Sequence, residues 1–268
     1  MVKAVFSDVD GTLFNSKHEL SFLNKYAINQ LINQGIDFVT ISGRSPSAIR
    51  IANRLGGFNS SIICYGGCLI CDKDNNVVFN IGLDKQKAND VLNYVLGKYD
   101  NVTYCIYALD NWYSPNRKHP RIILEEEIVQ YDAIEGDMEI VKEPFINKML
   151  LICDKEDTNK IEEDLKNKYL EYSIVKSSDI QIEIMPLGIN KGDAIKRYCL
   201  MNHIDLKDTL SFGDHFNDES MFLVTGNYFL MGNAPKLLKE KYPNITSSNN
   251  EDGFYHALVK IGLIKKID

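Results

Sequence analysis

Residues 2–13 read VKAVFSDVDGTL, a short apolar run that ends in two aspartates, a glycine and a threonine. The run from Val2 to Ser7 is rich in β-branched and aromatic residues, so it predicts a buried strand of a parallel sheet. Asp8 and Asp10 follow at the carboxyl end of this strand, which is where open α/β sheets bind ligands. Side chains two residues apart in extended backbone share a side, and two like charges there are costly unless a cation or a reaction needs them. The stretch therefore predicts a strand that carries a charged site at its end.

The residues beyond this strand alternate between helical and extended patterns. Apolar residues spaced three and four apart predict a helix that ends at Gly35, and a second strand (38–42) and a second helix (46–55) follow. The same alternation returns towards the carboxyl end, with a helix at 191–201 and a strand at 208–212. Strands and helices in alternation are the signature of an α/β fold with a parallel sheet.

The middle of the chain follows a different pattern. Residues 84–99 are helical, and residues 102–113 alternate like one strand of an exposed sheet. Such a mixture is typical of an α+β domain with helices on one face of an antiparallel sheet. We therefore predict a Rossmann-like parallel-sheet core formed by residues 1–82 and 188–268, with an α+β domain, residues 83–187, inserted between its halves.

Composition and charge exclude several classes of protein. The chain has 268 residues, of which 44% are hydrophobic and 25% charged, as in ordinary globular proteins. Its net charge of -7 argues against binding nucleic acid or an anionic membrane through bulk electrostatics. No stretch approaches the ~18 uninterrupted apolar residues of a membrane span, and the amino terminus lacks a long apolar signal region. We expect a cytoplasmic protein with reduced cysteines that is a monomer or a weak homodimer.

Three further polar segments fall at predicted strand ends or helix starts. They supply a hydroxyl and a backbone N–H suited to phosphate oxygens, a lysine, and carboxylates of the kind that Mg²⁺ prefers. The lysine opens a predicted helix, whose amino terminus favours anions, so a bound anion would resolve the mismatch. Together with Asp8 and Asp10 this is the inventory for phosphoryl transfer through an aspartyl-phosphate. The segments are Ser42-Gly43, Lys191 and Gly213-Asp214-His215-Phe216-Asn217-Asp218.

Each segment also has an ordinary structural explanation. A Ser-Gly turn, a surface lysine and a capped loop are common without any ligand. An EF-hand loop would place Asp8, Asp10 and Glu19 at its positions one, three and twelve, but Leu13 stands where that loop needs glycine. Because all four segments fall at strand ends or helix starts of one predicted sheet, we prefer the phosphoryl-transfer interpretation.

The four segments resemble, in order and spacing, the four motifs of the haloacid dehalogenase superfamily, in particular its Cof-type phosphatases with an α/β cap. Asp8-Val9-Asp10-Gly11-Thr12 resembles the first motif, Ser42-Gly43-Arg44 the second, Lys191 the third and residues 213–218 the fourth. The gap between the second and third motifs has the size of a cap domain. The chain departs from the family at Tyr65-Gly66-Gly67, where Asn-Gly is usual, and this departure concerns the pocket wall rather than the chemistry.

The resemblance implies a role for each acidic residue. Asp8 would attack phosphorus and form the covalent intermediate, and Asp10 would protonate the leaving alkoxide and then accept a proton from water. Mg²⁺ would be held by the Asp8 carboxylate, the Asp10 backbone carbonyl and Asp214. Asp218 would act through a metal-bound water.

The remaining motif residues are implied to bind the phosphoryl group. Ser42, the Gly43 N–H, Asn217 and the catalytic Lys191 would hold its oxygens, and Thr12 would support the loop. We therefore expect a Mg²⁺-dependent phosphatase acting on a small phosphorylated metabolite. Sugar phosphates come first, because they are the commonest substrates of the proteins that the chain resembles, and phosphorylated cofactors come next.

Two other functions stay open on the sequence alone. A sugar phosphomutase of the same superfamily shares this type of cap and would return an isomerised phosphate ester. A non-catalytic regulator would use the same fold only to bind phosphate or a metal ion.

Overall fold

A computed structural model describes the fold of residues 1–129 and 131–267. In chain order, the strands are β1 (Ala4–Ser7), β2 (Asp37–Ile41), β3 (Ser61–Cys64), β4 (Leu69–Cys71), β5 (Val77–Asn80), β6 (Leu83–Asp84), β7 (Thr103–Ala108), β8 (Asn111–Ser114), β9 (Ile134–Glu135), β10 (Phe145–Ile146), β11 (Lys148–Ile152), β12 (Tyr172–Ser178), β13 (Gln181–Pro186), β14 (Thr209–Gly213) and β15 (Asn227–Leu230). The helices are α1 (Phe22–Asn33), α2 (Pro46–Gly56), α3 (Lys85–Lys98), α4 (Pro120–Val129), α5 (Lys155–Lys168), α6 (Lys191–Met201), α7 (Glu219–Phe222), α8 (Lys236–Lys241) and α9 (Gly253–Lys260). Within the described ranges, every helix is too short or too polar to cross a bilayer.

Both ends of the chain contribute to the first of two compact units. This unit comprises Met1–Arg44, Ile49–Val78 and the residues from Asn190 onward. Its sheet has the order β15-β14-β1-β2-β3-β4-β5, in which the five strands from β15 to β3 run parallel. The apolar run at the amino terminus forms β1 in the middle of these parallel strands, and all four of its residues are buried. The predicted parallel-sheet core is confirmed.

Capping residues explain where two helices of this unit begin. The Ser21 hydroxyl accepts the Asn24 N–H at the start of α1, and the Asn190 side chain accepts the Asp193 N–H at the start of α6. Such caps satisfy backbone donors that have no partner inside the helix. Helix α1 buries one apolar face in a core that includes aromatic side chains of β2, β14, β15 and α9. The capped start of α6 fixes Lys191 as the first residue of that helix.

The second compact unit comprises Ser45–Ala48 and Phe79–Ile189. Its main sheet has the order β12-β13-β11-β7-β8-β9 and is antiparallel except for the pairing of β8 with β9. The buried faces of α3 and α5 share one apolar core with side chains of this sheet. This arrangement agrees with the predicted α+β character. The division into a catalytic domain and a cap at residues 82/83 and 187/188 stays a prediction.

The structure corrects one expectation in the second unit. Residues 102–113 form a hairpin of β7 and β8 rather than one strand, with Ala108 paired to Asn111 across the turn. Paired residues share a face of the sheet, so Ile106 and Tyr113 lie on one face and the two-residue turn shifts the alternation of side chains by one position. Leu109 makes the turn with a φ of 51°, and its N–H donates to the Asn147 side chain. Helix α4 was not predicted from the sequence.

Candidate active site

Three predicted segments follow neighbouring strands of the parallel sheet. In the strand register, Ser7 of β1 lies beside Phe212 of β14 on one side and beside Thr40 of β2 on the other. The Asp8 N–H donates to the Phe212 carbonyl at 3.0 Å, which extends this register by one residue. The carboxyl ends of parallel strands meet at one edge of a sheet, so the polar residues that follow β1, β2 and β14 share that edge.

Lys191 links two carboxylates in the interior of the first unit. Its Nζ donates to Asp8 Oδ1 and to Asp218 Oδ1, both at 2.6 Å, and its side chain is only 3% exposed. The other oxygen of Asp218 accepts the backbone N–H groups of Asp214 and His215, both at 2.9 Å. Asp218 therefore fixes the lysine and the loop after β14 at once. Its contact with a metal through water stays a prediction.

The acidic groups of this site carry more negative charge than the lysine neutralises. Asp8, Asp214 and Asp218 each have a carboxylate oxygen within 4.8 Å of the others. Burial raises the pKa of Asp8 to about 8, with the charges of Asp218 and Asp214 adding to the effect and that of Lys191 opposing it. Burial and the Asp218 charge raise the pKa of Asp214 to about 6.

The same charges act on the lysine in the opposite sense. Burial alone would lower the pKa of Lys191, but the negative charges of Asp218 and Asp8 outweigh it and hold the pKa above its ordinary value. The lysine is therefore a fixed cation, and the surplus charge lies on the carboxylates. A hard divalent cation with a preference for oxygen ligands fits this donor set.

The loop after β1 approaches Asp214 closely. The Thr12 hydroxyl is buried and donates to Asp214 Oδ1 at 3.0 Å. Gly11 has a φ of 82°, and a Cβ atom at this position would lie 2.4 Å from Asp214 Oδ2. Both the backbone conformation and the lack of space therefore require glycine. Thr12 therefore contacts Asp214, and its supporting role stays a prediction.

Asp10 lies in a different environment from Asp8. Its carboxylate accepts two hydrogen bonds from the Arg44 guanidinium, from Nε at 2.8 Å and from Nη2 at 2.7 Å. His18 Nδ1 lies 3.5 Å from the same carboxylate, whose side chain is 40% exposed. The two aspartates of the first segment are thus held by different cations, one buried and one near the surface.

The other predicted phosphate ligands lie in short loops of the same unit. The Ser42 N–H donates to the Ile63 carbonyl at 2.9 Å, and its Oγ accepts the Arg44 N–H at 3.2 Å. A Cβ atom on Gly43 would meet no atom within 4 Å, so this position borders open space. Asn217 is exposed in the turn after β14. Binding of a phosphoryl group by these residues stays a prediction.

Two residues that contact the site were given no role from the sequence. Arg44 lies in the second motif but was assigned no role. Its hydrogen bonds to Asp10 were not predicted. Asn233 was not singled out, yet its side chain donates to the Gly11 carbonyl and to Asp214. The available signal is positional, because Asn233 follows shortly after β15, a strand of the same parallel sheet.

The chain is similar in sequence and in fold to known hydrolases. Residues 5–258 match the family described as haloacid dehalogenase-like hydrolase. A relative from Haemophilus influenzae is 29% identical over 253 residues, which cover 94% of this chain and 95% of that protein. The 5-amino-6-(5-phospho-D-ribitylamino)uracil phosphatase YwtE of Bacillus subtilis is 27% identical over 277 residues, with coverage of 94% and 95%. A solved haloacid dehalogenase-like hydrolase from Bacteroides thetaiotaomicron has a TM-score of 0.89 at 24% identity and covers 97% of this chain and 100% of its own, a likeness that bears on the fold alone.

Proposed function

The chain belongs to the haloacid dehalogenase-like hydrolases, and on that premise we propose that it is a Mg²⁺-dependent phosphatase that cleaves small phosphomonoesters through an aspartyl-phosphate on Asp8. Its relatives bear phosphatase names, so the protein is a phosphoric monoester hydrolase. The metal, the intermediate and the substrate class are the proposed parts. The observation that carries them is the buried Lys191 shared by Asp8 and Asp218 beside Asp214.

Asp8 has the surroundings of an oriented nucleophile. Lys191 Nζ donates to its Oδ1, which leaves Oδ2 for the attack on phosphorus. A bond forms between Oδ2 and phosphorus while the bond from phosphorus to the leaving oxygen breaks. In the second step a water oxygen attacks phosphorus, the bond to Oδ2 breaks, and Asp8 returns to its carboxylate form.

Asp10 has the exposure that a proton-transfer group needs. As the carboxylic acid it donates a proton to the leaving oxygen in the first step, and as the carboxylate so formed it removes a proton from the attacking water in the second. Because its side chain is 40% exposed, it can exchange protons with solvent. Arg44 holds this carboxylate through two hydrogen bonds and so limits its orientations before substrate arrives.

The surplus negative charge supports a resident cation. The carboxylates of Asp8 and Asp214 and the backbone carbonyl of Asp10 would hold Mg²⁺, and Asp218 would contact it through water. When bound, the ion would neutralise the nucleophile so that it can approach an anionic ester. Lys191 cannot do this alone, since it already serves two carboxylates.

The phosphoryl oxygens need hydrogen-bond donors. We assign them to the Ser42 hydroxyl, the Gly43 N–H and the Asn217 amide, with Lys191 as the charged partner. Gly43 suits this role because the space around its Cα is open. Thr12 acts indirectly, by holding Asp214.

We assign sugar phosphates as the first substrate class and phosphorylated cofactors as the second. The relative YwtE is named for a substrate that carries a phosphate on a ribityl chain, a polyhydroxylated alkyl ester of the same chemical kind. Residues 83–187 would form the cap that selects the leaving group. The enzyme would act on small phosphorylated metabolites in the cytoplasm as a monomer or weak homodimer.

A panel of phosphate esters tests the proposal. Sugar phosphates, pyridoxal phosphate and flavin mononucleotide are incubated with enzyme and Mg²⁺, and with EDTA, and both free phosphate and isomerised ester are measured. Metal-dependent release of free phosphate is expected. Isomerised sugar phosphate without free phosphate would indicate a mutase, and unaltered esters across the panel would indicate a binding protein.

A further inference from the structure

We infer that Asn233 is a positioning residue for Asp214 and thereby sets the affinity of the acidic site for Mg²⁺. The inference rests on the proposed function only in taking Asp214 as a metal ligand. Asn233 follows shortly after β15, the strand that pairs with β14, and Leu230 of β15 lies opposite Gly213, the residue before Asp214. The two residues are thus brought together by neighbouring strands.

The Asn233 side chain makes three hydrogen bonds that together define its orientation. Its Nδ2 donates to the Gly11 carbonyl at 2.8 Å and to Asp214 Oδ2 at 3.2 Å. Its Oδ1 accepts the Asn249 N–H at 3.0 Å. A backbone N–H can only donate, and a carbonyl and a carboxylate can only accept, so only this orientation of the amide satisfies all partners.

Asn249 ties this contact to the loop after β1. Its own side chain is buried and donates to the Phe14 carbonyl at 2.8 Å. The chain from Gly11 to Phe14, the loop of Asn233 and the loop of Asn249 are therefore joined by hydrogen bonds. The Asn233 side chain is therefore held in place by hydrogen bonds to two other loops.

Asp214 is consequently held at both of its oxygens. Thr12 donates to Oδ1 and Asn233 donates to Oδ2. Two donors that orient a carboxylate before the cation arrives reduce the ordering that binding itself must supply. Loss of such a partner behind a metal ligand typically weakens metal binding by ~10–100-fold.

The test measures metal binding directly and without substrate. Protein freed of metal with EDTA is titrated with Mn²⁺, followed by the EPR signal of the free ion, and Mg²⁺ is then added as a competitor. The variants are Asn233→Ala and, as a matched control, Asn244→Ala. The Asn244 amide also donates to a backbone carbonyl, that of Tyr228 in β15, and has no hydrogen bond to Asp214.

The expected result is a Kd for both ions that rises ~10–100-fold in Asn233→Ala and stays at the wild-type value in Asn244→Ala. Saturating Mg²⁺ should bring the kcat of Asn233→Ala back towards wild type, because Asp214 itself is intact. If the alanine variant does not fold, Asn233→Ser is used and judged by the same values.

Three results would overturn the inference: wild-type affinity in the Asn233 variant, equal weakening in both variants, or a wild-type protein that binds neither ion. A wild-type protein that binds the ions but releases phosphate from no ester would contradict the proposed function instead. The two failures are therefore distinguishable.

Discussion

Lys191 and Asp8 form an ion pair of 2.6 Å although 183 residues separate them in the chain. Asp8 follows the first strand, and Lys191 begins the helix with which the chain returns to the parallel sheet after the second unit. The charge next to the candidate nucleophile is therefore supplied by the far half of the sequence. Since both side chains are buried, the pair matters to folding as well as to chemistry.

Replacing Lys191 should destabilise the protein far more than replacing a surface lysine of the same helix. Lys191→Met leaves Asp8 and Asp218 without a buried cation, which typically costs ~3–5 kcal/mol of unfolding free energy. Lys196→Met removes an exposed pair with Asp193, which is usually worth ~0–1 kcal/mol. Urea denaturation in EDTA at pH 7 measures both. An equal loss of unfolding free energy in the two variants would show that the buried pair contributes no more to stability than the exposed one.

Without metal, the protein should become less stable as the pH rises from 5 to 8. The pKa of Asp8 is raised to about 8 and that of Asp214 to about 6, chiefly by burial, so the folded state binds more protons than the unfolded state in this range. Stability from a raised pKa is present at low pH and is lost as the pH passes the folded-state value. Carboxylates with a lowered pKa, such as Glu126 beside Arg117, change stability only below about pH 5.

Urea denaturation at pH 5, 6.5 and 8 in EDTA checks this pH dependence. Asp214→Asn should make the slope shallower, because it removes one of the two titrating groups. Added Mg²⁺ should stabilise most at pH 8, where its ligands are ionised. An unfolding free energy that is flat or rises towards pH 8 in EDTA would contradict the charge balance described for the site.

Gly11→Ala should weaken Mg²⁺ binding, whereas Gly35→Ala should not. Both glycines have a positive φ, of 82° and 72°, so both substitutions carry backbone strain of about 1–2 kcal/mol. A Cβ atom on Gly11 would lie 2.4 Å from Asp214 Oδ2, while one on Gly35 would meet nothing within 4 Å. The Mg²⁺ concentration for half-maximal phosphate release should rise at least ~10-fold in Gly11→Ala alone. The same Mg²⁺ requirement in both variants would refute the steric argument.

Asp10→Asn should slow the hydrolysis of alkyl phosphates more than that of p-nitrophenyl phosphate. Loss of a general acid typically lowers the rate ~10²–10⁴-fold when the leaving group needs a proton. An alkoxide needs one, whereas p-nitrophenolate leaves readily without it. Comparing kcat for a sugar phosphate and for p-nitrophenyl phosphate in wild type and variant gives the answer. An equal loss on both substrates would show that the other proposed role of Asp10, removal of a proton from water, limits the rate, and wild-type rates on both substrates would contradict its role in proton transfer.

Much of the core was predictable because its signals are local. The apolar run before Asp8 became β1, and the predicted helix at 191–201 has the bounds of α6. A buried strand and a capped helix can each be predicted from about a dozen consecutive residues. Ligands bind at the carboxyl edge of a parallel sheet, and this rule predicts from the sequence that motifs distant in the chain lie close together.

The parts that were not predicted depend on tertiary contacts. The hairpin at Leu109 was not predicted because its two-residue turn, Leu109-Asp110, lacks the glycine that usually marks such a turn. The bond from Arg44 to Asp10 joins loops at the ends of two strands, and the bonds of Asn233 join residues up to 222 positions apart. No periodicity records which polar side chains meet across such loops. The hydrogen-bond partners of the Asn233 amide and the Arg44 guanidinium could therefore be identified only from the structure.

Phosphate release from p-nitrophenyl phosphate by wild type and by Asp8→Asn, with Mg²⁺ and with EDTA, tests the central claim most directly. Asp205→Asn serves as the control, since Asp205 is an exposed partner of Lys207. The account predicts release that requires Mg²⁺, is unchanged in Asp205→Asn, and falls at least ~10³-fold in folded Asp8→Asn. Release by Asp8→Asn at the wild-type rate would contradict an aspartyl-phosphate on Asp8.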